Sequence, residues 1–126
     1  MSKKITIIDY GMGNLYSVQN ALKAIGAEPV VTSDAAVIAQ AEKILLPGVG
    51  AFGDCMTNLE RSGLIPVIMD SLKSGKPFLG ICLGMQLLFE GSDEAPGVKG
   101  LGFFKGQVKL LRTELKIPHM GWNKLE

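Results

Sequence analysis

Short apolar runs of strand length alternate with stretches of helical periodicity along most of the chain, and this alternation restricts the fold more than any single motif. KITIID (4–9) is a β-branched run. NLYSVQNALKAIG (14–26) follows it with apolar residues at Leu15, Val18, Leu22 and Ile25 before a glycine stop. EPVVTS (28–33) predicts a second strand, DAAVIAQA (34–41) a short helix behind Ser33 as N-cap, and KILLPG (43–48) a third strand ending at a proline. Residues 54–74 predict one or two helices interrupted around Ser62-Gly63 and Pro66, and KPFLGIC (76–82) a fourth strand. Beyond Glu90, SDEAPGVKG (92–100) has loop composition, and FFKGQVKLL (103–111) alternates enough for an exposed, antiparallel strand. The expected class is α/β: an open, mostly parallel sheet with helices on both faces and ligands at the carboxyl ends of the strands.

Composition narrows the function. A chain of 126 residues fits one domain and can bury a real core. Thirteen basic residues against 12 acidic ones, with no block of like charge, give no electrostatic footprint for nucleic acid. Cys55 and Cys82 are far apart and form no C-x-x-C, which argues against a disulfide scaffold or a zinc knuckle and for a reducing compartment. The apolar stretch behind the N-terminal lysines is too short for a signal peptide, and Pro77 to Phe89 falls short of the roughly 20 residues that a bilayer requires. These features predict a soluble, cytoplasmic protein with no membrane partner.

Three glycine-bearing loops would converge at the strand ends: DYGMGN (9–14), PGVGAFG (47–53) and GICLGMQ (80–86). The first carries Tyr16 where a dinucleotide fingerprint needs its third glycine, so it predicts a tight turn capped by Asn14. In the last, Gly80 and Gly84 flank Cys82 at two residues on either side. A nucleophile on a sharp strand-to-helix bend needs small residues there, and the bend forces the side chain outward. A helix beginning near Gly84 would aim its positive end at the sulfur. Cys55, inside a helical pattern without a glycine frame, fits a buried small hydrophobe.

GICLGMQ resembles the nucleophile elbow of class I glutamine amidotransferases, whose α/β fold is flavodoxin-like, and LPGVGAFG (46–53) resembles the loop carrying their oxyanion donor. Within that superfamily GMQLL, PGVGAF, SDEAPGVKGLGF and above all PHMGWN (118–123) are similar to the glutaminase subunits of imidazole glycerol phosphate synthases, over essentially the whole chain. The resemblance implies that Cys82 attacks the side-chain carboxamide of glutamine, giving a γ-glutamyl thioester and ammonia. It implies oxyanion donors at the backbone N–H groups of Val49 and Leu83. It also implies that Gln86, the backbone of Gly50 and Glu94 hold the amino-acid end of the substrate. Asn14, Pro118, His119, Met120 and Trp122 would face the partner, a (β/α)8-barrel cyclase that receives the ammonia through a tunnel and makes imidazole glycerol phosphate and AICAR in histidine biosynthesis. No metal or organic cofactor is implied.

A cysteine amidase also needs a base, and the resembling family takes its histidine and glutamate from a later His-x-Glu segment that this sequence does not contain. The one histidine, His119, stands in the interface motif instead. Residues 1–126 are therefore expected to be a single amidotransferase domain, partial at its C-terminus and inactive as it stands. Three other readings share parts of the pattern: a glutaminase subunit of another amidotransferase, a peptidase-like hydrolase with a similar elbow, and an inactive docking module of the same fold.

Overall fold

The structure, a computed structural model, describes residues 3–12, 14–111, 114, 121, 122 and 124. Strand β1 (Lys4–Ile8) lies inside the sheet, and strand alternation sends the fully buried Ile7 and Ile8 to opposite faces. β2 (Glu28–Thr32) pairs with it in parallel, from Lys4 opposite Glu28 to Ile8 opposite Thr32. β3 (Ile44–Leu46) lies on its other side, and β4 (Phe78–Gly80) extends β3 with Leu45 opposite Leu79. The order is β2-β1-β3-β4, all parallel, as the alternation of strands and helices predicts. Because β1 and β3 are covered on both faces, their sequences are nearly unbroken apolar runs. Pro29, which has no N–H to give to a ladder, sits on the edge strand β2.

Helix α1 (Leu15–Ala24) covers one face, where Leu22, Leu15 and Val18 pack with Ile7 and Leu45. The opposite face carries α2 (Ala35–Gln40), α3 (Phe52–Ser62), α4 (Ile65–Lys73) and α5 (Leu83–Gln86). Their Ile38, Phe52, Leu59, Ile68 and Leu83 pack with Ile8, Ile44 and Leu46 in the larger of the two cores. Among the described residues, no helix is long and apolar enough to cross a membrane.

Local chemistry sets the boundaries. Asn14 caps α1 as expected, its side chain accepting the Ser17 N–H at 3.3 Å. The cap of α2 is Asp34 rather than Ser33: its carboxylate accepts the Ala36 N–H at 2.9 Å, while its own N–H donates to Thr32 Oγ1. A carboxylate is the stronger acceptor for that end of a helix. The 54–74 segment resolves into two helices, α3 starting slightly earlier at Phe52 and ending on the left-handed Gly63 (φ 72°). Pro66 does not break a helix; it occupies the first turn of α4, where its missing N–H has no intrahelical partner to lose.

The expected antiparallel strand needs correcting. Only Gln107–Val108 (β6) is extended, and it pairs in parallel with Gly91–Ser92 (β5). The chain between them turns back once, bringing Lys99 antiparallel to Gly91, and turns again before Gln107. Two reversals restore the original direction, which a single hairpin cannot do. Gly97 (φ 84°) and Gly102 (φ 68°) supply left-handed backbone in that connection.

This layering predicts unequal costs for two leucines. Leu46 is 0% exposed and Leu79 is 56% exposed. Leu46→Ala is expected to lower the unfolding free energy by about 2–5 kcal/mol and Leu79→Ala by less than about 1 kcal/mol, in parallel urea titrations.

Candidate active site

The ladder between β3 and β4 runs one residue beyond the strand, the Ile81 N–H donating to the Leu46 carbonyl at 3.0 Å, and then the chain bends. The bend falls on Cys82, with φ 56° and ψ −122°. Among the described residues it is the one non-glycine with positive φ. Backbone in that region is costly for a residue with a Cβ, about 1–3 kcal/mol, and persists only where the surroundings over-determine it. Here they do. Gly84 N–H donates to the Ile81 carbonyl at 2.9 Å and Met85 N–H to the Cys82 carbonyl at 3.0 Å, closing the turn on both sides of the sulfur-bearing residue. The thiol is exposed and free.

Both elbow glycines are required by space. A Cβ at Gly80 would stand 2.7 Å from the Met85 Cα, and one at Gly84 would overlap the Leu46 carbonyl oxygen. The helix behind the sulfur is only four residues long, so a long helix macrodipole is not what faces it.

The loop after β3 lies against this elbow. A Cβ on Gly48 would meet the Gly84 nitrogen at 2.7 Å and the Tyr10 hydroxyl at 2.9 Å. Three successive carbonyls of the loop accept hydrogen bonds: Pro47 from the Tyr10 hydroxyl at 2.6 Å, Gly48 from the Leu83 N–H at 3.3 Å, and Val49 from the Cys55 thiol at 3.3 Å. A trans peptide is flat with C=O and N–H opposed, so the Val49 N–H points away from Leu83. Among the described residues it makes no hydrogen bond. The two expected oxyanion donors therefore do not converge in this arrangement. Gly50 follows with φ 88°, exposed at the loop tip.

Gln86 and Glu94 come together in one cavity of about 450 Å³, with Ser92, Asp93, Val108, Lys109 and Leu110 as its other lining residues. Glu94 also has a structural task. Its carboxylate accepts the Phe52 N–H at 3.4 Å, at the start of a helix whose cap residue, Ala51, offers no side-chain acceptor. Asn14 is exposed. Pro118, His119 and Met120 lie outside the described residues, while Trp122 is 102% exposed.

A strained, exposed cysteine between a parallel strand and a helix, with a glycine loop against it, agrees with comparison to known proteins. The model of the class-I glutamine amidotransferase family matches residues 6–125. The chain belongs to that family. It is 55% identical over 121 residues to the imidazole glycerol phosphate synthase subunit HisH of Bacillus cereus, covering 96% of this chain and 58% of that one. It is 56% identical over 123 residues to the same-named subunit of Aquifex aeolicus, covering 97% and 59%. The chain thus spans under three-fifths of the length of these curated relatives. A solved glutamine amidotransferase at 18% identity superposes with a TM-score of 0.69 over 82% of this chain and 55% of that one, which shows the shared fold.

Sequence reasoning missed that Tyr10 and Cys55 hydrogen-bond the Pro47 and Val49 carbonyls of this loop. Tyr10 is the one aromatic residue of the turn motif DYGMGN, and a buried tyrosine needs a partner for its hydroxyl. That was the available signal.

The elbow generates a paired prediction in thermal unfolding. Cys82→Gly relieves the left-handed strain and is expected to stabilise the fold by about 1 kcal/mol. Gly84→Ala drives a methyl into the Leu46 carbonyl and is expected to destabilise it by about 3 kcal/mol or more.

Proposed function

We propose that this chain is the part of a glutamine amidotransferase subunit that carries the nucleophile and the substrate cradle, acting with the cyclase of an imidazole glycerol phosphate synthase in histidine biosynthesis. The observation that carries this reading is Cys82, held exposed at φ 56° on the elbow between β4 and α5. Strain of that kind, at one residue and over-determined on both sides, has a chemical use: it presents a sulfur that packing would otherwise bury.

In the proposed reaction the Cys82 sulfur attacks the carboxamide carbon, the carbonyl π pair moves onto oxygen, the thiol proton passes through a base to the nitrogen, and collapse expels ammonia to leave the γ-glutamyl thioester. Water then releases glutamate. The former carbonyl oxygen needs donors, and removing one such donor typically costs about 10²- to 10³-fold in rate. The Leu83 N–H is at hand but engaged with the Gly48 carbonyl. Turning the Gly48–Val49 peptide would free it and bring the Val49 N–H round in one motion. Gln86, Glu94 and the backbone of Gly50 would hold the ammonium and carboxylate of glutamine, supported by the cavity that Gln86 and Glu94 share. Asn14, Trp122 and the Pro118-His119-Met120 segment would meet the barrel partner. Trp122 supplies the large aromatic there, and a tryptophan is an efficient interface anchor.

Two measurements test this on a full-length protein carrying this sequence. Cys82→Ala is expected to abolish glutamine hydrolysis while the synthase complex still forms product from free ammonia; glutaminase activity retained in that variant would sink the reading. Trp122→Ala is expected to weaken association with the cyclase by about 2 kcal/mol, near 30-fold in Kd, with a melting temperature unchanged within a degree. Titration calorimetry of the complex beside thermal unfolding of the subunit reads both.

A further inference from the structure

Beneath the loop that follows β3, two buried side chains reach the backbone from different parts of the chain. Tyr10, 4% exposed at the end of β1, donates its hydroxyl to the Pro47 carbonyl at 2.6 Å across 37 residues of sequence. Cys55, fully buried in the first turn of α3, donates its thiol to the Val49 carbonyl at 3.3 Å. The two side chains belong to the same buried cluster. Burial raises the pKa of the Tyr10 hydroxyl far above its ordinary range, with the neighbouring Cys55 adding to the effect. Burial likewise raises Cys55, and the polar groups beside it, the Tyr10 hydroxyl and the Val49 carbonyl, only partly offset that. Both groups keep their protons at neutral pH and so remain donors.

Neither bond is required for packing. A phenylalanine at position 10 and an alanine at position 55 would still be apolar neighbours of the same core, yet the carbonyls of Pro47 and Val49 would lose their partners. What the pair adds is a restraint on two peptide planes, those that bear the carbonyls on either side of Gly48–Val49. The plane between them is held from a third direction, by the Leu83 N–H, at a long 3.3 Å.

We infer that Tyr10 and Cys55 form a positioning pair for the oxyanion loop: by fixing the carbonyls of Pro47 and Val49 they leave the Gly48–Val49 peptide as the plane that turns, and set where its N–H arrives beside Cys82. This rests on the amidotransferase reading above. It assigns the pair no contact with substrate. Its effect belongs to reactions in which charge develops on an oxygen at Cys82, and is absent from reactions at the same sulfur in which none does.

Two thiol reagents separate those cases in the full-length protein. A chloromethyl ketone carrying the α-amino and carboxylate groups of glutamine is attacked at its carbonyl, the oxygen taking the negative charge, before sulfur displaces chloride. Iodoacetamide alkylates the Cys82 sulfur by direct displacement, a sulfur–carbon bond forming as the carbon–iodine bond breaks and iodide leaves. Labelling rates at Cys82 are read by mass spectrometry of its peptide, beside kcat for glutamine hydrolysis.

Tyr10→Phe and Cys55→Ala are each expected to slow the ketone reaction and kcat by about 10- to 100-fold while the iodoacetamide rate stays within a factor of two, the scale expected for a small misplacement of a reacting group. Cys55→Ser, which keeps a donor, is expected to restore most of the loss. An unchanged ratio of the two labelling rates in both variants, or a ratio that falls for Cys55→Ser as far as for Cys55→Ala, would overturn the pair's role. If Cys55→Ala does not fold, Tyr10→Phe, which removes a single oxygen and keeps the ring, decides alone. Failure of the amidotransferase reading looks different: the unmutated protein would then show no preference for the glutamine-shaped ketone, and both conclusions would fall together.

Discussion

Two stretches of main chain touch without side chains between them, and the site depends on that contact. Gly84 lies against the Leu46 carbonyl and Gly48 lies against the Gly84 nitrogen, so the loop after β3 and the turn after β4 are packed backbone to backbone. Any larger residue at either glycine separates them. The contact becomes available only because β3 and β4 are hydrogen-bonded neighbours in a parallel sheet, which sends both chains out of the same edge. Parallel pairing, glycine and proximity of the two loops are then one constraint seen at three scales.

The unusual conformation of Cys82 follows from the same contact. With Ile81 still in the ladder and Leu83 turned toward Gly48, the residue between them has no relaxed backbone region open to it. The strain is local, and the buried core of β1, β3 and four helices around it carries the stability that tolerates it. A cysteine on a flexible loop would avoid that cost but would not hold its sulfur in one place.

Much of this was legible in the sequence, because periodicity and glycine spacing are properties of neighbours along the chain. KITII and ILL predicted buried parallel strands, and Gly80, Cys82 and Gly84 predicted the elbow. What escaped was decided by groups far apart in sequence or by the orientation of a peptide. No pattern says that the Leu83 N–H takes up the Gly48 carbonyl, or that Glu94 serves as the N-terminal acceptor of a helix beginning at Phe52. FFKGQVKLL alternates like a hairpin arm, yet its direction was set by two reversals in the preceding loop. Ser33 and Asp34 are both good caps, and what separates them is which side chain reaches the Ala36 N–H, here the Asp34 carboxylate. Cys55 fits a core residue and is one, but burial says nothing of where its thiol hydrogen goes.

The loop after β3 takes its three hydrogen bonds from residues 10, 55 and 83, which are delivered by β1, α3 and the elbow. No shorter piece of the chain holds all three, so the loop acquires its shape only after the first, middle and last of these have docked. In a chain emerging residue by residue the Cys82 bend comes after β1, β3 and α3, and it cannot form before β3 and β4 pair. The geometry at Cys82 is thereby tied to the pairing of β3 with β4, and a molecule that loosens at this edge would lose the elbow while β1 and β2 are still paired.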